Sequence, residues 1–116
     1  MKFRFEDLEV WKDSISLTDD ILDIADDIEK YSRRFAEQLR GACLSVSNNI
    51  AEGSGSFSDK EFANFFNMSR RSIFECANLV FILHRRNKIN QAVKEKILHG
   101  LDKLSRKITN FRKSLM

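Results

Sequence analysis

The fold is decided by residues 58–86, which read SDKEFANFFNMSRRSIFECANLVFILHRR. Apolar side chains recur there at three- and four-residue spacing, which is the period of an α-helix. The shared face comprises Phe62, Phe66, Ile73, Ala77 and Val80. Further apolar side chains flank this face, so only a narrow arc is polar, and such a helix is surrounded by protein rather than water. Ser58 with Glu61 forms a capping-box pattern. We therefore predict a long central helix from Ser58 to about Arg86.

Three other segments show the same helical period. The first runs from about Glu6 to Lys30, the second from about Arg33 to Glu52, and the fourth from about Gln91 to Ser114. Gly53 and Gly55, with Ser54 and Ser56, indicate the end of the second helix and the loop that follows it. Helices of this length with short connections pack as antiparallel neighbours. The sequence predicts an all-α protein, an antiparallel up-down-up-down four-helix bundle, with residues 1–116 forming a single domain.

Composition excludes several classes of protein. The chain has 116 residues, of which 42% are hydrophobic, with four glycines and no proline. This apolar content argues against disorder, and the shortage of turn residues argues against an all-β fold. No apolar run approaches the ~18 residues of a membrane-spanning helix, and the first residues lack an apolar signal core. Two cysteines suit a reducing compartment, so we expect a cytoplasmic protein with no membrane partner.

Charge is distributed unevenly along the chain. Residues 6–29 contain ten acids and one base, whereas residues 84–116 contain ten lysines or arginines and two acids. This asymmetry indicates either a nucleic-acid surface or two helices that attract each other, within one chain or between chains. The candidate nucleic-acid-binding residues are Arg85, Arg86, Lys88, Lys96, Lys103, Arg106, Lys107 and Lys113. No aromatic residue accompanies the basic stripe of the fourth helix, which makes recognition of single strands less attractive.

The sequence contains no recognisable catalytic, metal or cofactor motif. Inward Glu-x-x-His motifs and a phosphate-binding glycine loop are lacking, and Cys43 and Cys76 fit inert buried thiols. Glycine at position 100 interrupts the fourth helix, at a cost of about 1 kcal/mol relative to alanine. Polar residues flank the cores of the second and third helices: Gln38, Arg40, Ser45, Asn49, Glu52, Ser69, Ser72 and Glu75. We interpret them as a structural hydrogen-bond network that fixes the helix register, with Arg40 facing Glu75 as a candidate ion pair.

Several motifs in this chain match those of a known family. The match begins with Phe5-x-x-Leu8-x-Val10-Trp11-Lys12 and is strongest at Leu39-Arg40-x-Ala42-x-x-Ser45-Val46-x-x-Asn49-Ile50-Ala51-Glu52-Gly53. It continues through Phe62, Phe65 and Arg70-x-Ser72-x-x-Glu75. The chain resembles the four-helix bundle proteins encoded within intervening sequences of bacterial 23S ribosomal RNA genes. It departs from many relatives at Gly41, where they have arginine, and at Ser47, where they have proline.

The resemblance implies an all-α cytoplasmic protein that forms ring-like oligomers, often pentamers, without established enzymatic activity. A similar bundle, the accessory protein of diversity-generating retroelements, acts as a basic pentamer with a reverse transcriptase and nucleic acid. We therefore expect a non-enzymatic oligomeric scaffold that binds structured RNA or another nucleic acid through its basic fourth helix. The alternative is a protein–protein interaction adaptor without a nucleic-acid role.

Apolar surface also predicts a homo-oligomer. The first and third helices carry wider apolar arcs than a bundle seam needs, and an exposed patch of that size is unusual in a monomer. The surplus side chains are Ile24, Ile28, Met68, Phe74, Leu79, Phe81 and Ile82.

Overall fold

Four α-helices form the molecule, and a computed structural model describes all 116 residues. A single 3₁₀ turn at Arg4–Asp7 precedes α1 (Glu9–Ile28), α2 (Arg33–Ser54), α3 (Asp59–Arg85) and α4 (Gln91–Ser114). The chain contains no strand, and the four helices pack against one another. The predicted all-α four-helix bundle is therefore confirmed.

Polar side chains define where three of the helices begin. Ser32 and Ser58 each accept a backbone hydrogen bond at the N-termini of α2 and α3, at 3.1 and 3.2 Å. Asn90 does the same for α4, accepting from the amide of Val93 at 2.8 Å. These contacts satisfy backbone donors that have no partner within the helix. They confirm the predicted start of the central helix at Ser58.

The apolar faces of all four helices meet in one core. Phe62 and Phe66 of α3 are almost completely buried, and their rings stack with 4.6 Å between centroids. Phe111 of α4 packs on both rings, at 5.6 and 4.8 Å. Aromatic pairs at these distances add to the stability that burial provides. This aromatic cluster joins the N-terminal part of α3 to the C-terminal part of α4.

Contacts between helices run in opposite chain directions. Ser69 of α3 reaches the carbonyl of Val46 on α2, and Arg112 of α4 reaches the carbonyl of Ala63 on α3. Lys107, late in α4, contacts Glu9 at the start of α1. Arg112 and Lys107 lie late in α4, whereas Ala63 and Glu9 lie early in α3 and α1; Ser69 and Val46 lie near the middles of α3 and α2. The registers are those of antiparallel packing, within a molecule of 44 × 26 × 20 Å.

Two glycines mark places where helices approach closely. A Cβ atom at position 53 would lie 2.6 Å from Cβ of Phe65, and one at position 100 would lie 2.6 Å from Cδ2 of Leu17. Both distances are too short for an unmoved neighbour. Gly53 lies within α2 and is a contact residue, whereas α2 ends at Ser54 with Gly55 as its C-terminal cap, within two residues of the predicted end. Gly100 makes room for Leu17 on the surface of α4.

The surplus apolar side chains divide into two groups. Ile24, Ile28 and Leu79 are buried within the chain, contrary to the expectation that the bundle leaves them exposed. The two isoleucines are covered because α1 packs against both α2 and α4, so that its wide apolar arc has two neighbours. Four side chains of α3 stay exposed by 37–57%: Met68, Phe74, Phe81 and Ile82.

Candidate nucleic-acid interface

The acidic helix α1 and the basic helix α4 pair within one chain. Nζ of Lys107 lies 2.6 Å from Oε1 of Glu9 and 2.8 Å from Oδ2 of Asp13. Hydrogen bonds to Asp13 and Glu9 raise the pKa of Lys107. About three turns nearer the N-terminus of α4, Lys96 lies 3.7 Å from Asp20. Part of the predicted basic stripe is therefore engaged by α1.

The remaining predicted cations differ in their partners. On α4, Arg106 binds Asp102 of the same helix at 3.1 Å, whereas Lys103 and Lys113 are exposed and form no salt bridge. Three further cations, Arg85, Arg86 and Lys88, are exposed at the connection between α3 and α4 and also form no salt bridge. The eight candidates therefore do not form one continuous stripe. Three are bound to carboxylates, and five are free of them.

An aromatic side chain that the sequence pattern did not indicate lies beside this connection. Nζ of Lys88 is 4.2 Å from the ring centroid of Tyr31, which belongs to the connection between α1 and α2. The Tyr31 side chain is 43% exposed. The two residues are far apart in sequence, so no local motif could have linked them. The basic residues of the α3–α4 connection therefore have an aromatic neighbour, which lies outside the α4 stripe.

The predicted polar network at the α2–α3 interface is partly assembled. Ser69 is fully buried and donates to the carbonyl of Val46 at 2.8 Å, while Ser72 donates to Oγ of Ser45 at 2.8 Å. Asn49 is half-buried and donates to the carbonyl and hydroxyl of Ser45, at 2.8 and 3.1 Å. The two serines of α3 thus bridge the helices. Asn49 instead supports the hydroxyl that Ser72 contacts.

Arg40 does not join this network. Its guanidinium binds Asp26 at 2.7 Å and Glu29 at 3.0 Å, both on the α1 side, so the proposed pairing with Glu75 is wrong. Hydrogen bonds to Asp26 and Glu29 raise the pKa of Arg40. The rotation of α2 explains this outcome, because it directs Arg40 toward α1. Three other members of the set are exposed and form no side-chain hydrogen bond: Gln38, Glu52 and Glu75.

A shallow apolar groove of about 690 Å³ separates α3 from α4. Phe74 and Phe81 of α3 and Leu98 of α4 contribute apolar surface to it, and Arg70 and Arg106 contribute charge. The guanidinium carbon of Arg70 lies 4.8 Å from the ring centroid of Phe74. The groove is open to solvent and has a mixed lining. It holds no convergent set of acid, base and nucleophile.

The two thiols are buried and unpaired. Burial raises the pKa of Cys43 to about 11 and that of Cys76 to about 12, so both are protonated at neutral pH. The prediction of buried thiols is confirmed, and protonation makes them poor nucleophiles. Nowhere do three or more His, Cys, Asp or Glu side chains come close enough to hold a metal ion. None of the helices combines the length and apolarity needed to cross a lipid bilayer.

Comparison with known proteins agrees with the motifs of the sequence. A family model described as "23S rRNA-intervening sequence protein" matches residues 6–110. A search of curated proteins finds no significant match. The matched range spans α1, α2 and α3 and most of α4, including the α2–α3 interface where the polar network lies. The chain therefore belongs to the 23S rRNA-intervening sequence protein family.

Proposed function

We propose that this protein is a cytoplasmic, non-enzymatic, homo-oligomeric scaffold that binds structured RNA. The observation that carries the proposal is the set of exposed cations without salt bridges on α4 and at the α3–α4 connection. This set comprises Arg85, Arg86, Lys88, Lys103 and Lys113. The carboxylates of Glu9 and Asp13 bind Lys107 of the same chain and form no salt bridge with any of these five cations.

Lysine and arginine bind phosphates without reading sequence, and this suits a scaffold for folded RNA. Each phosphate contact releases counterions from the RNA, so the affinity depends on salt. With about five contacts in each subunit, we expect a log–log salt slope of about four. The family is named for the intervening sequences of 23S rRNA, and this makes RNA the first polyanion to test. The two unpaired thiols fit the reducing cytoplasm.

Self-association is supported by the apolar side chains that the bundle leaves exposed. Phe74 is 57% exposed and Phe81 is 52% exposed, and both line the groove between α3 and α4. Contiguous apolar patches on a protein surface usually mark interaction sites. A second copy of the chain would cover this face, and the resemblance implies a ring, often a pentamer. Repetition of the free cations around a ring would add weak phosphate contacts through multivalency.

RNA filter binding at two salt concentrations tests the RNA-binding role. We expect Lys103→Glu/Lys113→Glu to weaken retention of a structured RNA and to lower the salt slope. The matched control is Lys12→Glu/Lys60→Glu, which makes the same change in net charge at exposed lysines on α1 and α3. Equal retention of the two double variants would remove α4 from the proposal.

The alternative function is that of a protein–protein interaction adaptor, and the apolar groove favours it as a second candidate. Light scattering together with RNA binding separates the two functions. Oligomers that retain no RNA at low salt would replace the RNA scaffold with the adaptor. A monomer of 13.5 kDa at micromolar concentration would contradict self-association.

A further inference from the structure

Two connections lie side by side at one end of the bundle, although they are distant in sequence. The contact that joins them is the one between Lys88 and the Tyr31 ring, at 4.2 Å. Backbone hydrogen bonds hold both turns, from Tyr31 to the carbonyl of Ile28 and from Lys88 to that of Leu83, each at 2.9 Å. Asn87 adopts a left-handed conformation with φ of 58°, as is common where helices end. Ordered turns therefore present these side chains.

Cations outnumber carboxylates in the two connections at this end of the molecule and the residues that border them. Residues 29–34 and 85–88 contain six lysines or arginines and one carboxylate, that of Glu29. Glu29 is already bound to Arg40 at 3.0 Å. We call the six cations together with Tyr31 the end cluster: Lys30, Tyr31, Arg33, Arg34, Arg85, Arg86 and Lys88. Among its cations only Arg33 forms a salt bridge, with the exposed Glu37. The end cluster thus concentrates positive charge that its own chain does not neutralise.

Tyr31 gives the end cluster a property that the outer face of α4 lacks. An aromatic ring among cations is the arrangement that binds unpaired nucleotides, because bases stack on the ring while cations contact the backbone. The ring is 43% exposed, and the contact on it is an ammonium group at the solvent surface. Base–aromatic stacking is stronger than an exposed cation–π contact. A base can therefore displace Lys88, whose ammonium is then free to contact a phosphate.

We propose that the end cluster is a binding site for single-stranded RNA, such as the loop of a hairpin. A base stacks on Tyr31, and the adjoining phosphates contact Arg85, Arg86 and Lys88. The inference rests on the proposed RNA-binding function and adds that two surfaces of the protein bind different parts of an RNA. The lysines of α4 contact the backbone of helical RNA, whereas the end cluster selects unpaired nucleotides. A blunt duplex offers no free base face and gains nothing from Tyr31.

The test compares a fluorescein-labelled oligouridylate with a blunt RNA duplex by fluorescence anisotropy. We expect Tyr31→Ser to weaken oligouridylate binding roughly tenfold and to leave duplex binding unchanged. Tyr31→Phe keeps the ring and should bind as the wild type does. Phe57→Ser is the matched control, because Phe57 is a fully exposed aromatic residue in the connection between α2 and α3, at the other end of the bundle. If Tyr31→Ser alters the thermal melt, Tyr31→Leu takes its place, because leucine keeps apolar bulk without a π-face.

The arginines provide an independent measurement. Arg85→Ala/Arg86→Ala should lower the log–log salt slope for oligouridylate by about 1.4, since each contact to a single strand contributes about 0.7. Competition with polyglutamate separates RNA from an acidic protein. Polyglutamate and unlabelled RNA are compared as competitors at equal concentrations of negative charge. If polyglutamate displaces the oligouridylate as well as the RNA does, the assignment is overturned in favour of an acidic protein partner.

Failure of this inference is distinguishable from failure of the proposed function. Equal effects of Tyr31→Ser and Phe57→Ser, or an equal loss of duplex and oligouridylate binding in Tyr31→Ser, would overturn the end cluster as a stacking site. RNA binding that depends on Lys103 and Lys113 but not on Tyr31 would overturn this inference alone. A wild-type protein that binds neither RNA at low salt would overturn both.

Discussion

Replacing Gly53 with alanine tests how closely α2 and α3 must approach. The new Cβ atom would lie 2.6 Å from Cβ of Phe65 and 3.0 Å from Cδ1 of Phe62. Because Cβ of Phe65 is fixed to the backbone, α3 must move, and a side-chain rotation cannot relieve the overlap. Overpacking of this kind costs about 1–3 kcal/mol, whereas the helix preference of alanine over glycine returns about 1 kcal/mol. We expect a net loss of about 1 kcal/mol in the free energy of unfolding.

Two other glycines provide matched controls for the same substitution. A Cβ atom at Gly41 would meet nothing within 4 Å, so Gly41→Ala should stabilise the protein by about 1 kcal/mol. At Gly100 the neighbour is the free end of the Leu17 side chain, which can move at a cost of about 0.5–1.5 kcal/mol. Gly100→Ala should therefore be close to neutral.

Urea unfolding followed by far-UV circular dichroism measures all three variants, at one protein concentration because oligomer stability depends on it. Gly53→Ala and Gly41→Ala should differ by about 2 kcal/mol. If Gly53→Ala is as stabilising as Gly41→Ala, then α2 and α3 do not pack through this glycine, and the register of the polar network at their interface is wrong as well.

Three further predictions concern a buried hydrogen bond, an ion pair and the two thiols. Ser69→Ala should lower the free energy of unfolding by about 1 kcal/mol in urea, because it removes the buried bond to Val46; an unchanged midpoint would contradict that bond. Lys107→Met should lower the melting temperature at neutral pH. The ion pairs with Asp13 and Glu9 raise the pKa of Lys107 in the folded protein. Their stabilising effect is therefore fully present below the ordinary lysine pKa of about 10.4 and is lost as the pH rises through the pKa of the folded state. The difference in melting temperature between variant and wild type should shrink in that range. Cys43 and Cys76 should react with a thiol reagent only after unfolding in guanidinium, and rapid reaction of the native protein would show that the thiols are not buried.

Helical periodicity predicted the fold well because burial of one face is a property of each segment by itself. The periodicity of the fourth segment predicts a helix from about Gln91 to Ser114, and the structure has the same bounds. The roles of the individual glycines at the end of α2 are less predictable than the end itself, since glycine both ends helices, as Gly55 does here, and allows close contact between them. At Gly53 the second reason applies, and it depends on Phe62 and Phe65, which belong to another helix.

The partners of charged residues could not be predicted in the same way. Arg40 was placed near Glu75 from the register of α2 against α3, but the rotation of α2 turns it toward Asp26 and Glu29. Likewise, the pattern of α4 identifies cations on its surface but not the carboxylates opposite them, which lie at the other end of the sequence. The neighbour of Lys88, Tyr31, belongs to yet another connection.

The partners of each cation determine which residues can report on RNA binding. Reversing the charge of Lys107 would place a carboxylate beside Glu9 and Asp13, and the resulting repulsion would disturb the contact between α1 and α4. Any loss of RNA binding in that variant would therefore combine a packing defect with a missing phosphate contact. Neither Lys103 nor Lys113 forms a salt bridge, so their reversal breaks no ion pair. Lys103 shares a surface hollow with Asp13 and Asp20, so Lys113→Glu alone is the reversal that adds least repulsion within the bundle. The basic residues of this chain thus belong to two classes, and the class that the fold leaves without salt bridges reports most directly on a bound ligand.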